Sequence, residues 1–438
     1  MGARYLPITA YQADMVETSA DPQTSDAYHL YFTLQLAFRI SSGLSPRRLK
    51  TVFNKLVARH DSLRVRFVEH NQSWFAETLD EHPIGFQVND LSGESSDVRK
   101  RSVEALAQTP IRAHEGPCFQ MDLIRCGEEG DVLILRAHHA IMDGYGLIVL
   151  TEDLIKLLIR LPLQDGAMSH EDFVTRIEKL TRTNETEKQA FWMNRLLPLP
   201  QELRIGRVTR GFPPFWPKMM DKTICLNDIF LAEESRALEK ISCSSGTSLY
   251  ALIYVAFSEA ICAIAEQSDV MICSWLGRHD AWTQRFVGCD NRMVQHIYRC
   301  SKRPLVEKAE NANKEIIDAI SGQPSNIFLP GSPFMDVLKA EDRTLWRFQI
   351  HNTLPSARMK SSLFSKLLWS GVNEKLSIGP FFIEKLNFAR DCESRFELSV
   401  FILQTPSGVN ARLVADDRAF SLAELEQLQA KMRDILFN

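Results

Sequence analysis

An apolar strand that turns directly into an apolar helix is the feature that most limits how this chain can fold. Asp131-Val132-Leu133-Ile134-Leu135 reads as a buried strand, and Leu147 to Leu158 reads as a helix with Leu147, Val149, Leu150, Leu154 and Leu157 on a broad apolar face. Such a unit needs a sheet with helices packed against it. The turn between them is Arg136-Ala137-His138-His139-Ala140-Ile141-Met142-Asp143-Gly144-Tyr145-Gly146. Active sites favour loops held by a rigid scaffold, and a histidine with a carboxylate four residues on suits proton handling near neutral pH. Of the 11 histidines only His139 has an aspartate at that spacing, Asp143. On spacing alone the same residues read equally well as a packed imidazole with Asp143 capping the next helix. A metal site would call for cysteines or further carboxylates at ligand spacing, and the stretch offers none.

A chain of 438 residues is too long for one small core, so two lobes are expected. The formal charge of −4, with basic residues scattered rather than striped, argues against a nucleic-acid partner. The opening residues Met1 to Tyr11 lack the apolar core of a secretory signal, and no apolar run approaches the ~20 residues needed to cross a bilayer. The 9 cysteines are odd in number, scattered and without a C-x-x-C pair, which points to a reduced, cytoplasmic protein. The phosphate-binding G-x-x-x-x-G-K-[ST] and G-x-G-x-x-G patterns are both missing, which argues against nucleotide chemistry.

Along the chain, Ala10 to Thr18 reads as a short helix and Leu30 to Ile40 as a strand. Ser45-Pro46 starts a helix that ends near Arg59-His60. Ser62 to Val68 reads as a half-buried strand with Trp74 to Glu77 as its hairpin partner. Val98 to Gln108 is helical and Cys118 to Arg125 a strand. Gln164 to Met168 marks a lobe boundary, giving lobes at 1–168 and 169–438. Beyond it, Glu171 to Leu196 reads as one charged helix. Thr247 caps a long apolar helix that reaches Ala265, and the strand Val270 to Leu276 follows. Leu398 to Leu403 and Asn410 to Asp416 pair as a hairpin, and Ser421 caps a final helix. Strands and helices mix without a strict βαβ rhythm, so the expected class is α+β, two lobes of similar size with a cleft between them.

Several segments in order resemble the condensation domains of nonribosomal peptide synthesis. Leu6-Pro7-Ile8-Thr9-Ala10-Tyr11-Gln12 looks like the first motif of that family. Arg59-His60-Asp61-Ser62-Leu63-Arg64-Val65-Arg66-Phe67 is similar to R-H-E-x-L-R-T-x-F, and His138 to Gly144 fits H-H-x-x-x-D-G fully. Gly277-Arg278, Gly288 to Arg299, Pro333-Phe334 to Val337 and Phe348 to Leu354 fall where later motifs are expected. The resemblance runs from about residue 6 to 436. It implies a pair of chloramphenicol-acetyltransferase-like lobes in a V-shaped pseudo-dimer, in a free-standing monomeric enzyme. Gly144-Tyr145-Gly146 and the Asn-containing segment Ile350 to Pro355 resemble the siderophore-type amide synthase that makes vibriobactin. Cys289-Asp290-Asn291-Arg292-Met293 departs from the usual Phe-Val-Asn-Thr, and His296 stands near where proline is common.

The reaction that the resemblance implies is attack of an amine on a thioester. The acyl donor would ride on the phosphopantetheine arm of an acyl or peptidyl carrier protein, with no cofactor bound to the chain itself and no membrane partner. His139 is then the general base, or the group that orients the developing ammonium. Gly144 would offer its backbone N–H to the oxyanion at a helix N-terminus. His138 is read as a buried support and Asp143 as a structural carboxylate with Arg64 or Arg278 as its partner. Asn352 and Tyr145 are the substrate-binding candidates, the tyrosine more often core or rim than catalytic. An O-acyltransferase using carrier-bound or coenzyme A thioesters, and a non-catalytic docking domain, are the competing readings. Epimerisation and cyclisation fit less well, since the tryptophan after D-G-x-S is absent and the first motif position is His rather than Asp.

Overall fold

The computed structural model describes residues 5–40, 45–81, 85–202, 205–207, 223–276, 281–329, 331–343, 347–352, 375–378, 381–388, 396–405 and 408–438. The chain opens with β1 (Tyr5–Leu6), α1 (Ala10–Ala20), α2 (Asp26–Tyr31), β2 (Thr33–Ile40), α3 (Pro46–Arg59), β3 (Val65–His70), β4 (Ser73–Thr78) and β5 (Phe86–Asp90). It continues with α4 (Ser96–Ala107), β6 (Phe119–Arg125), β7 (Asp131–His138), α5 (Gly144–Leu158), α6 (His170–Arg182), α7 (Glu185–Leu196) and β8 (Thr223–Leu226). Then come α8 (Ala232–Ser245), α9 (Leu249–Ala265), β9 (Asp269–Leu276), β10 (Arg292–Arg299), α10 (Leu305–Ser321), α11 (Pro333–Ala340) and β11 (Phe348–Asn352). The last elements are β12 (Lys375–Ile378), β13 (Phe381–Leu386), β14 (Leu398–Thr405), β15 (Gly408–Asp416) and α12 (Leu422–Phe437).

Local chemistry explains most of these boundaries. Thr9 and Gln12 form a reciprocal capping box that starts α1, and Ser421 with Glu424 does the same for α12. Pro46 occupies the first turn of α3, whose Leu49, Val52, Phe53, Leu56 and Val57 recur at helical spacing and are all buried. Some expectations shift. Leu30 to Phe32 is not strand, because Ser25 accepts from Tyr28 N and caps α2, so β2 begins at Thr33. The charged stretch from Glu171 is two helices, separated where Asn184 takes a left-handed conformation at φ 55°. Ser248, not Thr247, caps α9, its hydroxyl accepting from Ala251 N at 3.1 Å.

The described residues fall into two compact units. The first takes those within 1–179, 277–291 and 355–389, and the second takes those within 180–276, 292–354 and 390–438. The simple cut expected at 168 is therefore replaced by a later one at 179, with two returns of the chain. The physical reason for one return is strand pairing: β13 hydrogen-bonds antiparallel to β2, with Ile383 opposite Ile40. In the first unit the sheet order is β12-β13-β2-β7-β6-β5, beside a small sheet β1-β4-β3. α3 and α5 pack together, and their apolar faces join one core with Leu133, Leu135 and Phe119 from the sheet. In the second unit the order is β10-β9-β11-β14-β15-β8. α9 and α12 pack together in that unit's core, which also holds Ile350, Val400 and Leu413 from the strands. Both six-stranded sheets mix parallel and antiparallel pairs, β5 with β6 in one and β11 with both β14 and β9 in the other being the parallel ones, which is the α+β character expected. Among the described residues no single helix is long and apolar enough to cross a membrane.

Candidate active site

β7 is buried along its whole length and ends at His138. The next residue leaves the sheet: His139 N donates to Phe32 O at 2.7 Å and begins a short 3-10 turn, His139 to Ile141. Adjacent side chains then part company. His138 is fully buried, its ring stacked near Phe32, and its Nδ1 accepts from Ala140 N at 3.1 Å. A nitrogen that accepts carries no proton, so His138 is a neutral support for the turn. His139 is half-buried, with Phe32 at the edge of its ring. Gln12 Nε2 holds the turn from the other side by donating to Ala140 O at 2.8 Å.

Asp143 caps α5. Its Oδ1 accepts from Gly146 N at 2.7 Å and its Oδ2 from Asp290 N at 2.9 Å, while its own N–H donates to Gly288 O at 3.0 Å. The carboxylate is 4% exposed. Backbone N–H groups thus reach both carboxylate oxygens. Arg64 is not the arginine partner expected for Asp143, because it donates to the carbonyls of Val57 and Leu79 and so ties the end of α3 to β4. Arg278 lies outside the described residues.

Gly144 is exposed at the first position of α5, and a Cβ built on it meets nothing within 4 Å. Its N–H belongs to the helix-start donors that lack an intrahelical acceptor, and the helix dipole favours negative charge there. Gly146 differs: a Cβ there would stand 3.0 Å from Gly288 O and 3.1 Å from Gly288 N. Gly288 is more constrained still, since its Cβ would fall 1.9 Å from Phe286 Cζ. Gly146 lets segment 281–291 press against the start of α5, and Gly288 lets the Phe286 ring lie over its own backbone. Tyr145 is half-buried against the core of the unit. Asn352 closes β11 in the second unit and is exposed.

Segment 281–291 brings two residues that the sequence had singled out only as departures from a pattern. Cys289 Sγ stands 3.8 Å from His139 Nδ1, and Asn291 Nδ2 stands 3.3 Å from His139 Nε2. The segment is clamped elsewhere. Phe286 stacks on Phe173 at 4.2 Å, and Ser62 Oγ donates to Val287 O. Arg285 pairs with Asp153 Oδ1 at 2.7 Å. Asp153 is fully buried and also meets Arg59 Nε at 2.9 Å and His60 Nε2 at 3.0 Å. Burial alone would raise its carboxyl, but the hydrogen bond from His60 and the charges of Arg285 and Arg59 outweigh it and hold the group below its ordinary value. Burial lowers the His60 imidazole, so it stays neutral and donates Nε2–H to the carboxylate. Asp61 accepts from His170 N at 2.9 Å and so fastens the start of α6. Arg59 to Ser62 of the second motif thus hold α5, the start of α6 and segment 281–291. Among the described residues, no cluster of three or more His, Cys, Asp or Glu is arranged to hold a metal ion.

The sequence model of the condensation domain matches residues 5–295. Surfactin synthase subunit 2 of Bacillus subtilis (strain 168) is 23% identical over 418 residues, which is 93% of this chain and 11% of that protein. The chain spans about a tenth of the length of the first curated relatives it matches. SgcC5 from Streptomyces globisporus superposes with a TM-score of 0.72 at 17% identity, covering 98% of this chain and 97% of that one. The starter condensation domain of rhizomide synthetase RzmA gives 0.70 at 15% identity, covering 99% and 95%. The chain belongs to the condensation-domain family, and its fold is the two chloramphenicol-acetyltransferase-like lobes of that family.

Proposed function

We propose that this chain joins an amine to an acyl group held as a thioester on the phosphopantetheine arm of a carrier protein, forming an amide. The observation that carries the reading is that a half-buried imidazole, His139, and the exposed first residue of α5, Gly144, share one turn held by Asp143 and Gln12. In the step, the amine nitrogen bonds to the thioester carbon and its proton passes to His139. The carbonyl oxygen gains charge and is stabilised by the α5 N-terminus. Collapse expels the carrier thiolate, which takes up a proton. The family supports this reading, as do relatives that are peptide synthases. Asn352 and Tyr145 remain the proposed substrate contacts, and the siderophore-type amide synthase is the proposed subtype.

One observation favours a second reading, ester formation by an alcohol. SgcC5 was crystallised with (R)-(-)-1-(2-naphthyl)-1,2-ethanediol, which offers hydroxyl groups and no amine. The same base and oxyanion donor serve either acceptor. A purely docking role is disfavoured by the intact His138, His139, Asp143 and Gly144.

The test incubates purified protein with acyl-loaded carrier protein and a panel of amines and alcohols, following thiol release and product mass. His139→Ala should lower turnover about 100- to 10,000-fold with circular dichroism and melting unchanged. Full turnover by that variant would end the catalytic assignment.

A further inference from the structure

An imidazole acts as a base only through the ring nitrogen that lacks a proton. The two nitrogens of His139 face different groups, Cys289 Sγ at Nδ1 and Asn291 Nδ2 at Nε2. An amide nitrogen donates and does not accept, so its approach to Nε2 requires a lone pair there. The neutral ring then carries its proton on Nδ1, directed at the Cys289 sulfur, a weak acceptor. We propose that Cys289 and Asn291 are positioning residues of His139, which hold the Nδ1–H tautomer and present the Nε2 lone pair as the base; this rests on the acyl-transfer reading above.

The surroundings fit that role. Both residues sit on a segment fixed to the same unit by Ser62, Asp143 and the Arg285–Asp153 pair, so neither is delivered by a loosely held loop. Cys289 is 5% exposed, a placing suited to a partner inside the core and unsuited to a nucleophile. At 3.3 Å the Asn291 contact is long for a hydrogen bond. An incoming amine offers Nε2 the same N–H, so it replaces Asn291 at little cost. Cys289, Asp290 and Asn291 are also where the sequence leaves the pattern of its family, so this chain sets its histidine with residues of its own.

The test reads the tautomer directly. Protein labelled with 15N-histidine gives two-bond proton–nitrogen correlations at pH 8, and His139→Ala identifies the signal by its loss. The wild type should show a proton on Nδ1 and none on Nε2. Asn291→Asp, nearly isosteric, should move the proton to Nε2 and lower kcat by at least about 100-fold, toward the penalty of a wrong histidine tautomer. Cys289→Ala should give a mixture of tautomers and lose about 2- to 10-fold in kcat, with Cys289→Ser recovering most of it. A wild-type ring protonated on Nε2, or a tautomer unmoved in both Asn291→Asp and Cys289→Ala, would overturn the proposal. An Nδ1–H tautomer in a protein that transfers no acyl group to any acceptor would uphold the tautomer and overturn the function.

Discussion

Asp143 Oδ2 accepts the main-chain N–H of Asp290 at 2.9 Å, so a carboxylate on the β7–α5 turn holds a stretch of chain 147 residues further on. Its other oxygen caps α5. Asp143→Ala removes both acceptors at once. The lost cap costs about 0.5–2 kcal/mol and the stranded Asp290 N–H about 1–3 kcal/mol. Urea unfolding should show this loss together with lost turnover. Asp143→Asn keeps one oxygen and should fall between. A variant as stable as wild type would show that the carboxylate is not the clamp described.

Gly144 and Gly146 separate chemistry from fold. An alanine at 144 enters open space, so stability should stay within about 1 kcal/mol of wild type. Activity should fall all the same, because the added methyl stands beside the proposed oxyanion donor. An alanine at 146 would stand 3.0 Å from Gly288 O. Backbone has to move there, at a cost of about 1–3 kcal/mol. Differential scanning calorimetry beside thiol-release assays checks the pair. Equal melting losses in both variants would contradict the assignment.

Asp153 balances two guanidiniums, Arg59 and Arg285, in a fully buried position. Asp153→Ala removes the buried acceptor that Arg59, Arg285 and His60 share, leaving Arg285 with Glu152 and Arg59 with Gln164 O, and the expected cost is about 3–5 kcal/mol. Chemical denaturation should show it as a large drop in midpoint. Arg285→Met removes one of the links that hold segment 281–291 and should loosen Cys289 and Asn291, visible as faster amide exchange there. Unchanged exchange would mean that the ion pair does not anchor the segment.

Stability should fall on acidification from pH 6.5. Burial lowers His170 to about 4 and, helped by the charge of Arg195, lowers His296 to about 3, from an ordinary 6.5. Between those values the unfolded chain binds protons that the folded chain refuses, so each group removes up to about 1.4 kcal/mol per pH unit. The loss begins at 6.5 and ends near 4 for His170 and near 3 for His296. Asp61, whose carboxyl burial raises, works in the opposite sense. Urea midpoints at pH 7, 6 and 5 check the slope, and His170→Gln should make it shallower. An unchanged slope in that variant would discount the buried imidazole.

The turn itself was legible in the sequence because His138, His139, Asp143 and Gly144 are neighbours along the chain and the strand and helix around them have clear periods. Legible too was the hairpin Leu398 to Asp416 and the start of α3. The partners of the site were not. Gln12 lay in a recognised motif, yet nothing local shows that its amide reaches Ala140 O. Cys289 and Asn291 reach His139 across a long sequence separation, and tertiary contacts such as the close approach at Gly146 and the Asp143–Asp290 hydrogen bond set that register. Arg64 fitted the family pattern, but nearby carbonyls take its guanidinium. Leu30 to Phe32 misled because a short apolar run suits a helix end as well as a strand.

The pairing of β13 with β2 has a consequence for anyone who would cut or recombine this protein. A fragment ending at residue 179 would leave β2 as a bare sheet margin carrying Phe38 and Ile40, ready to seek hydrogen bonds from another molecule. A transplant of the histidine-bearing half into a foreign synthase therefore has to carry three separate lengths of polypeptide, and chimaeras spliced at a single midpoint junction should collect in inclusion bodies.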